Sequence, residues 1–293
     1  VNERQADPAW LDGLCERVAY RMGLIGGVKA IVLGGSRARG TAREDSDTDL
    51  GLYYDSSESF PLEQIDAAAR ELDDRHTLGL VTPLGAWGPG VNGGGWLLID
   101  GRHVDILYRD LGRVREVVEH CVRGQIEAFY QLGHPIGFQG QIYAGEIHFC
   151  RPFHDPASEI KALKLLIAKY PSKMGRALVV KHLFDAQFET DIALGPAGRG
   201  DLVYVSQCLS RACGFAVLVL YAINQRFFLN EKNSFIESAS FPLRPENFHR
   251  EVGATLGALG NSAAELTRSV MRMRAVVDEL YGFCSERLPA GLL

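Results

Sequence analysis

Apolar residues first recur at helical spacing, from Ala9 to Met22, where Trp10, Leu11, Leu14, Cys15, Val18, Ala19 and Met22 fall on one face. After Gly26-Gly27 the period shortens. VKAIVL (28–33) reads as a short apolar strand and DLGLYY (49–54) as a second. PLEQIDAAARELDD (61–74) predicts a helix opened by proline. TPLGAWGPGVNGGG (82–95) predicts a loop on its glycine and proline content. WLLI and RHVDILY flank Asp100-Gly101, the dipeptide favoured by a type I′ turn, and so predict a hairpin. A helix is expected over 111–123, then a mixed segment ending in RPFHDP (151–156). Beyond it the period is helical almost throughout: 157–170, 172–190, 201–229, 245–258 and 262–282, broken early by Pro171 and by GPAGRG (195–200). The pattern predicts an α+β chain: a small mixed-sheet domain over 1–155, followed by an all-α helical bundle over 156–293.

Composition narrows the class. With 46% apolar and 23% charged residues the chain is expected to fold. A formal net charge of −5 argues against long nucleic acid as a partner. The six cysteines include no CxxC pair, so reduced buried thiols are expected rather than a disulfide framework or structural zinc. VNERQADPAW, at the start, has no apolar run and no leader is expected there. The longest apolar stretch, GFAVLVLYAI (214–223), is about half of the ~20 residues that a membrane span needs. A soluble, cytoplasmic protein without a membrane partner is the expectation.

The chemistry concentrates in GGSRARGTAREDSDTDLGLYY (34–54). Asp47 and Asp49 stand two apart at the start of an expected strand, so both carboxylates project to one side. Like charges held that close repel unless a cation lies between them. Mg²⁺ suits the position, because it takes one or two carboxylates together with substrate phosphates. Asp105, between the apolar neighbours Val104 and Ile106, is a third carboxylate on an expected strand, and three would form a two-metal clamp. Gly34, Gly35 and Ser36 follow the first strand, where backbone N–H groups at a turn can bind an anion. Arg37 and Arg39 could balance phosphate charge. The GxxxxGK[ST] pattern of a P-loop is absent. Phosphate beside Gly35-Ser36 and metal at the aspartates point to nucleotidyl transfer from a nucleoside triphosphate.

GS, ten residues, then DTD resembles the GS-x(10)-DxD signature of the polymerase-β-like nucleotidyltransferase superfamily. GSRARG is similar to its small bacterial members, among them aminoglycoside nucleotidyltransferases and MNT-type antitoxins, and QRFFLNEKNSF (225–235) to the helical domain of bacterial nucleotidyltransferases. The resemblance implies that Gly35 and Ser36 hold the triphosphate and that Asp47 and Asp49 hold Mg²⁺. Asp105 would take the third-carboxylate role and help activate an acceptor hydroxyl. ATP is the expected donor and a small, aminoglycoside-like molecule the expected acceptor, with the helical domain walling off its pocket. Protein AMPylation and a catalytically silent module stay open as alternatives.

Other features read more plainly. Glu44 is a solvated loop acid, His103 an ordinary strand histidine, and VNGGGW (91–96) a connecting loop. Cys150 and His154 are spaced like half a zinc site with no second half. Lys161, Lys164, Lys173, Arg176 and Lys181 form a solvated helix face, from which one or two could reach a triphosphate. Glu231 and Lys232 fall at the expected end of a long helix, where a C-terminal cap and a substrate contact are equally open readings. The Arg-x(4–6)-His pattern of helical ribonucleases that accompany MNT proteins occurs five times, too often to carry information.

Overall fold

A computed structural model describes residues 8–288. Its elements begin α1 (Pro8–Met22), β1 (Val28–Leu33), α2 (Gly35–Arg39), β2 (Thr48–Tyr54), α3 (Leu62–Leu72), β3 (Gly94–Ile99), β4 (Arg102–Asp110) and α4 (Leu111–Arg123). Two-residue strands β5 (Ala128–Phe129) and β6 (Phe138–Gln139) precede α5 (Gln141–Phe149), β7 (Arg151–His154) and α6 (Glu159–Leu166). Then come α7 (Ser172–Gly198), α8 (Leu202–Ile223), α9 (Ser234–Ser238), α10 (Phe248–Gly257) and α11 (Ala263–Ser285). The class is α+β, with a mixed sheet followed by a helical region.

The chain forms two compact units. The first comprises the chain to His120, then Glu127–Gly133 and Gly140–Lys169; the second comprises Cys121–Ile126, His134–Gln139 and the chain from Tyr170. In the first, a five-stranded sheet has the order β3-β4-β2-β1-β7. β2 and β4 run parallel, and every other neighbouring pair is antiparallel. Alternation sorts the side chains. Thr48, Leu50 and Leu52 on β2 and Val104, Ile106 and Tyr108 on β4 are buried on one face, in a core shared with Leu14, Val18 and Met22 of α1 and Ile65 and Ala69 of α3. Asp49, Gly51 and Asp105 therefore fall on the opposite face. That face is closed at one end, where the buried Arg109 makes a bidentate pair with Glu146 of α5 (2.8 and 2.6 Å). Burial opposes the Arg109 charge, and Glu146 more than restores it, so the Arg109 pKa is raised.

The β3–β4 hairpin turns at Asp100 and Gly101 with φ of +53° and +70°, the left-handed pair a type I′ turn requires. Asp74 accepts hydrogen bonds from the N–H groups of both (3.1 and 2.8 Å). RPFH, left within a mixed segment by the pattern, is an antiparallel edge strand on β1.

In the helical unit α7 and α8 pack together, tied by Arg211 Nε to Glu189 (2.6 Å), and α11 joins α7 through Arg274 and Asp191 (2.9 Å). α7 continues through Gly195-Pro196, where the sequence predicts a break, and α8 ends at Ile223 rather than near 229. Among the described residues α8 is the one helix long and apolar enough to cross a membrane by composition. Its Val205, Leu209, Ala212, Val219 and Leu220 are buried inside the helical unit, as in a core helix.

Candidate active site

The site begins with the end of β1. Gly34 N–H donates to the Asp49 carbonyl (2.8 Å), extending the β1–β2 pairing by one residue into the glycine turn. Gly35 then adopts φ +59°, and a Cβ on it would stand 1.8 Å from Asp49 Oδ2. Only glycine satisfies both the left-handed backbone and the space the carboxylate occupies. The Asp49 carboxylate thus lies directly against the turn that opens α2. The first N–H groups of such a turn lack intrahelical acceptors, and Ser36 adds a hydroxyl to them.

Asp105 is the β4 partner of Asp49 in the parallel ladder. Neighbouring strands lie about 4.8 Å apart, so the two carboxylates stand side by side on one face. Asp47 is exposed and stands one residue before β2, at the entrance to the same face. Among the described residues, no group of three His, Cys, Asp or Glu side chains is close enough to hold a metal ion on protein donors alone. Two hard oxygen donors in register, beside a glycine turn with no Cβ in the way, nevertheless fit Mg²⁺. That ion seldom uses an all-protein cage and completes its shell with phosphate and water.

Arg37 has a use the sequence did not reveal. Its Nε donates to the Asp47 carbonyl (3.1 Å) and its Nη2 to the Ser46 carbonyl. The guanidinium thereby folds the 43–47 loop back onto α2 and fixes where Asp47 enters the strand. Burial, together with nearby Arg102, pulls the Arg37 pKa down, while Asp47 and Asp49 push it up. Arg39 sets its guanidinium over the Phe149 ring at 5.3 Å.

The remaining candidates disperse. Glu44 is an exposed loop residue, and His103 is exposed on the Asp105 side of β4. Cys150 is buried, with Sγ donating to the Ile147 carbonyl (3.3 Å), and His154 packs beneath Gly23. Lys164 is not a solvated face residue: its Nζ donates to the carbonyls of Ile147, His148 and Cys150 (3.0, 2.8 and 2.7 Å), closing the C-terminus of α5. Lys181 pairs with Asp185 within α7 (2.7 Å). Glu231 caps no helix, since α8 ends earlier; it pairs with His134 at 3.0 Å. Trp96, which belongs to no motif, is the β3 partner of Asp105. Its signal was an indole on the outward parity of GGWLLI.

The mixed sheet sets a glycine turn against paired strand carboxylates, the arrangement that the resemblance of GS-x(10)-DxD implies for nucleotidyl transfer. Residues 14–86 match the family described as "Nucleotidyltransferase domain". That segment is accordingly a nucleotidyltransferase domain of the polymerase-β-like superfamily, and the protein is a nucleotidyltransferase by class. The matched span includes Gly35, Ser36, Asp47 and Asp49, and ends before Asp105. No curated protein matches the chain. Among solved structures it is similar to a nucleotidyltransferase-like protein from Exiguobacterium sibiricum 255-15, at 6% identity and a TM-score of 0.47, over 94% of this chain and 79% of that one.

Proposed function

We propose that the protein transfers a nucleoside monophosphate from a nucleoside triphosphate, ATP first among them, to a hydroxyl of a small molecule, with Mg²⁺ and release of pyrophosphate. The observation that carries the reading is the Asp49–Asp105 register beside Gly35, with the Asp49 carboxylate against the turn. Gly35 and Ser36 bind the triphosphate through backbone N–H groups and the Ser36 hydroxyl. Arg37 fixes the approach of Asp47. Asp49 and Asp105 would hold Mg²⁺, with Asp47 at the entrance to the same face, and the ion's contribution would be to neutralise charge on the triphosphate. Asp105 draws the proton of the acceptor hydroxyl as its oxygen attacks the α-phosphorus. The bond from that phosphorus to the bridging oxygen breaks, and pyrophosphate leaves in line. Positioning and electrostatics supply most of the rate, as in phosphoryl transfer generally. A net charge of −5 favours a neutral or cationic acceptor over a polyanion.

Pyrophosphate release from each of the four nucleoside triphosphates, with Mg²⁺ and a panel of hydroxylic acceptors, tests the reading. Asp49→Asn is expected to abolish turnover and Asp105→Asn to lower it about 10²- to 10⁴-fold, the usual range for a lost proton acceptor. Failure of the wild-type protein to bind any of the four with Mg²⁺ would refute it.

A further inference from the structure

The row of residues through the two carboxylates continues to the edge of the sheet. Gly34, just past β1, and Asp49, Asp105 and Trp96 on β2, β4 and β3 are successive neighbours. Directly opposed antiparallel residues place their Cβ atoms about 5 Å apart on the same face. Trp96 is thus the immediate neighbour of Asp105 on the side away from Asp49 and the glycine turn. It is 61% exposed, a large apolar surface presented to solvent beside two carboxylates.

Trp96 is also held in place. Trp87 stacks on it, with ring centroids 4.6 Å apart and planes 28° apart. Trp87 reaches that position by lying over Gly94, where a Cβ would come within 2.8 Å of the indole Cζ3. The loop carrying Trp87 is pinned at several points. The buried Gln131 donates to the Trp87 carbonyl (2.6 Å) and accepts from Gly90 N–H (2.9 Å). Tyr143 donates to the Gly90 carbonyl (2.9 Å), and the Thr82 hydroxyl accepts from Gly94 N–H (3.0 Å). Arg75 donates to the Trp96 carbonyl (2.9 Å). An exposed indole that is backed by a second one and braced from behind is a preorganised stacking surface.

We propose that Trp96, backed by Trp87, is the platform on which the acceptor lies, and that the acceptor is a ring-bearing alcohol that stacks one flat face on the indole. The inference rests on the proposed function for the identity of the bound molecule as acceptor. A ring lying on Trp96 presents its substituents to the next residue of the row, Asp105, the group assigned to draw the hydroxyl proton. An open-chain alcohol gains nothing from the indole face. The platform therefore selects for a saccharide, a cyclitol or a nucleoside over an acyclic hydroxyl.

Ligand-observed saturation-transfer NMR on the full chain separates these sources, with methyl α-D-glucopyranoside, myo-inositol and adenosine as probes and glycerol as the acyclic control. At least one ring probe is expected to bind wild type while glycerol does not. Its affinity is expected to fall about tenfold or more in Trp96→Ala, within the range for a lost stacking partner, and to be kept in Trp96→Phe. ATP affinity, measured in parallel, is expected to be the same in wild type and Trp96→Ala. The inference is overturned if no ring probe binds, if glycerol binds as well as the rings, or if Trp96→Ala binds them like wild type. Failure of ATP to bind wild type would instead overturn the transferase reading, and the ring probes would still decide the platform.

Discussion

Two glycines of the same short segment separate conformational need from spatial need. Gly35 and Gly40 both have positive φ, +59° and +77°. A Cβ at Gly40 meets nothing within 4 Å, whereas one at Gly35 stands 1.8 Å from the Asp49 carboxylate. A left-handed L-residue costs about 1–2 kcal/mol wherever it occurs, so both alanine variants carry that strain. Only Gly35→Ala must also displace Asp49. Gly40→Ala is therefore expected to lower stability by about 1 kcal/mol and keep wild-type pyrophosphate release. Gly35→Ala is expected to lose release at least tenfold while melting within a few degrees of Gly40→Ala. Equal activity in the two variants would show that the contact between Gly35 and Asp49 is unimportant to turnover. At this scale the sequence was most legible, because the GS-x(10)-DxD spacing depends on local chain geometry. The clamp made by Arg37 was not legible, since an arginine bound to backbone carbonyls looks the same in sequence as one awaiting a phosphate.

Between elements, a single carboxylate joins the end of α3 to β3. Asp73 accepts from the Leu98 N–H of β3 (2.7 Å) and from Arg75 Nε and Nη2 (2.9 and 2.7 Å), with its side chain fully buried. The Arg75 hydrogen bonds, helped by those from backbone N–H groups, hold its pKa down at about 2, against 3.8 for a free aspartate. A depressed folded-state pKa contributes stability that is present above about pH 4 and lost as pH falls toward 2. Asp73→Asn is expected to cost about 2 kcal/mol at pH 7, as for hydrogen bonds to a charged group. Urea titrations at pH 7 and pH 3 should show the gap to wild type narrowing in acid; a gap independent of pH would mean that the Asp73 charge contributes nothing. Element type was readable where a period ran long or a turn dipeptide marked the end, as at β1, the β3–β4 hairpin and α4. It was hidden in β7, a four-residue edge strand containing Pro152, whose partner β1 lies more than a hundred residues earlier. α7 crosses Pro196 only two residues before its end, so the hydrogen bond the proline cannot make is lost where the helix is already finishing, between the buried Ala193 and Ala197, and proline's general helix-breaking tendency does not reveal this. Trp96 was missed for a related reason: its importance lies in the register that sets it opposite Asp105, and register is not written in β3 alone.

At the scale of the whole molecule, the helical unit is not one continuous stretch of chain. Besides the residues from Tyr170 onward it includes Cys121–Ile126 and His134–Gln139. The second of these contributes core: Ile136 and Phe138 are 6% and 0% exposed. Ile136 fills the space over Gly214 of α8, where a Cβ would come within 2.6 Å of its Cγ2, and His134 pairs with Glu231 at 3.0 Å. Deleting one buried isoleucine or phenylalanine side chain typically costs about 2–5 kcal/mol, against a total stability of about 5–15 kcal/mol for an ordinary domain. Removal of the whole segment would therefore take most of the margin and leave an apolar groove along α8. A fragment of residues 170–293 is expected to melt without a cooperative transition, whereas one of 121–293, which restores both segments, should melt cooperatively by circular dichroism at 222 nm. Two fragments with the same sharp transition would mean that α7–α11 fold without Ile136 and Phe138, and that the returning segment adds nothing to the helical core.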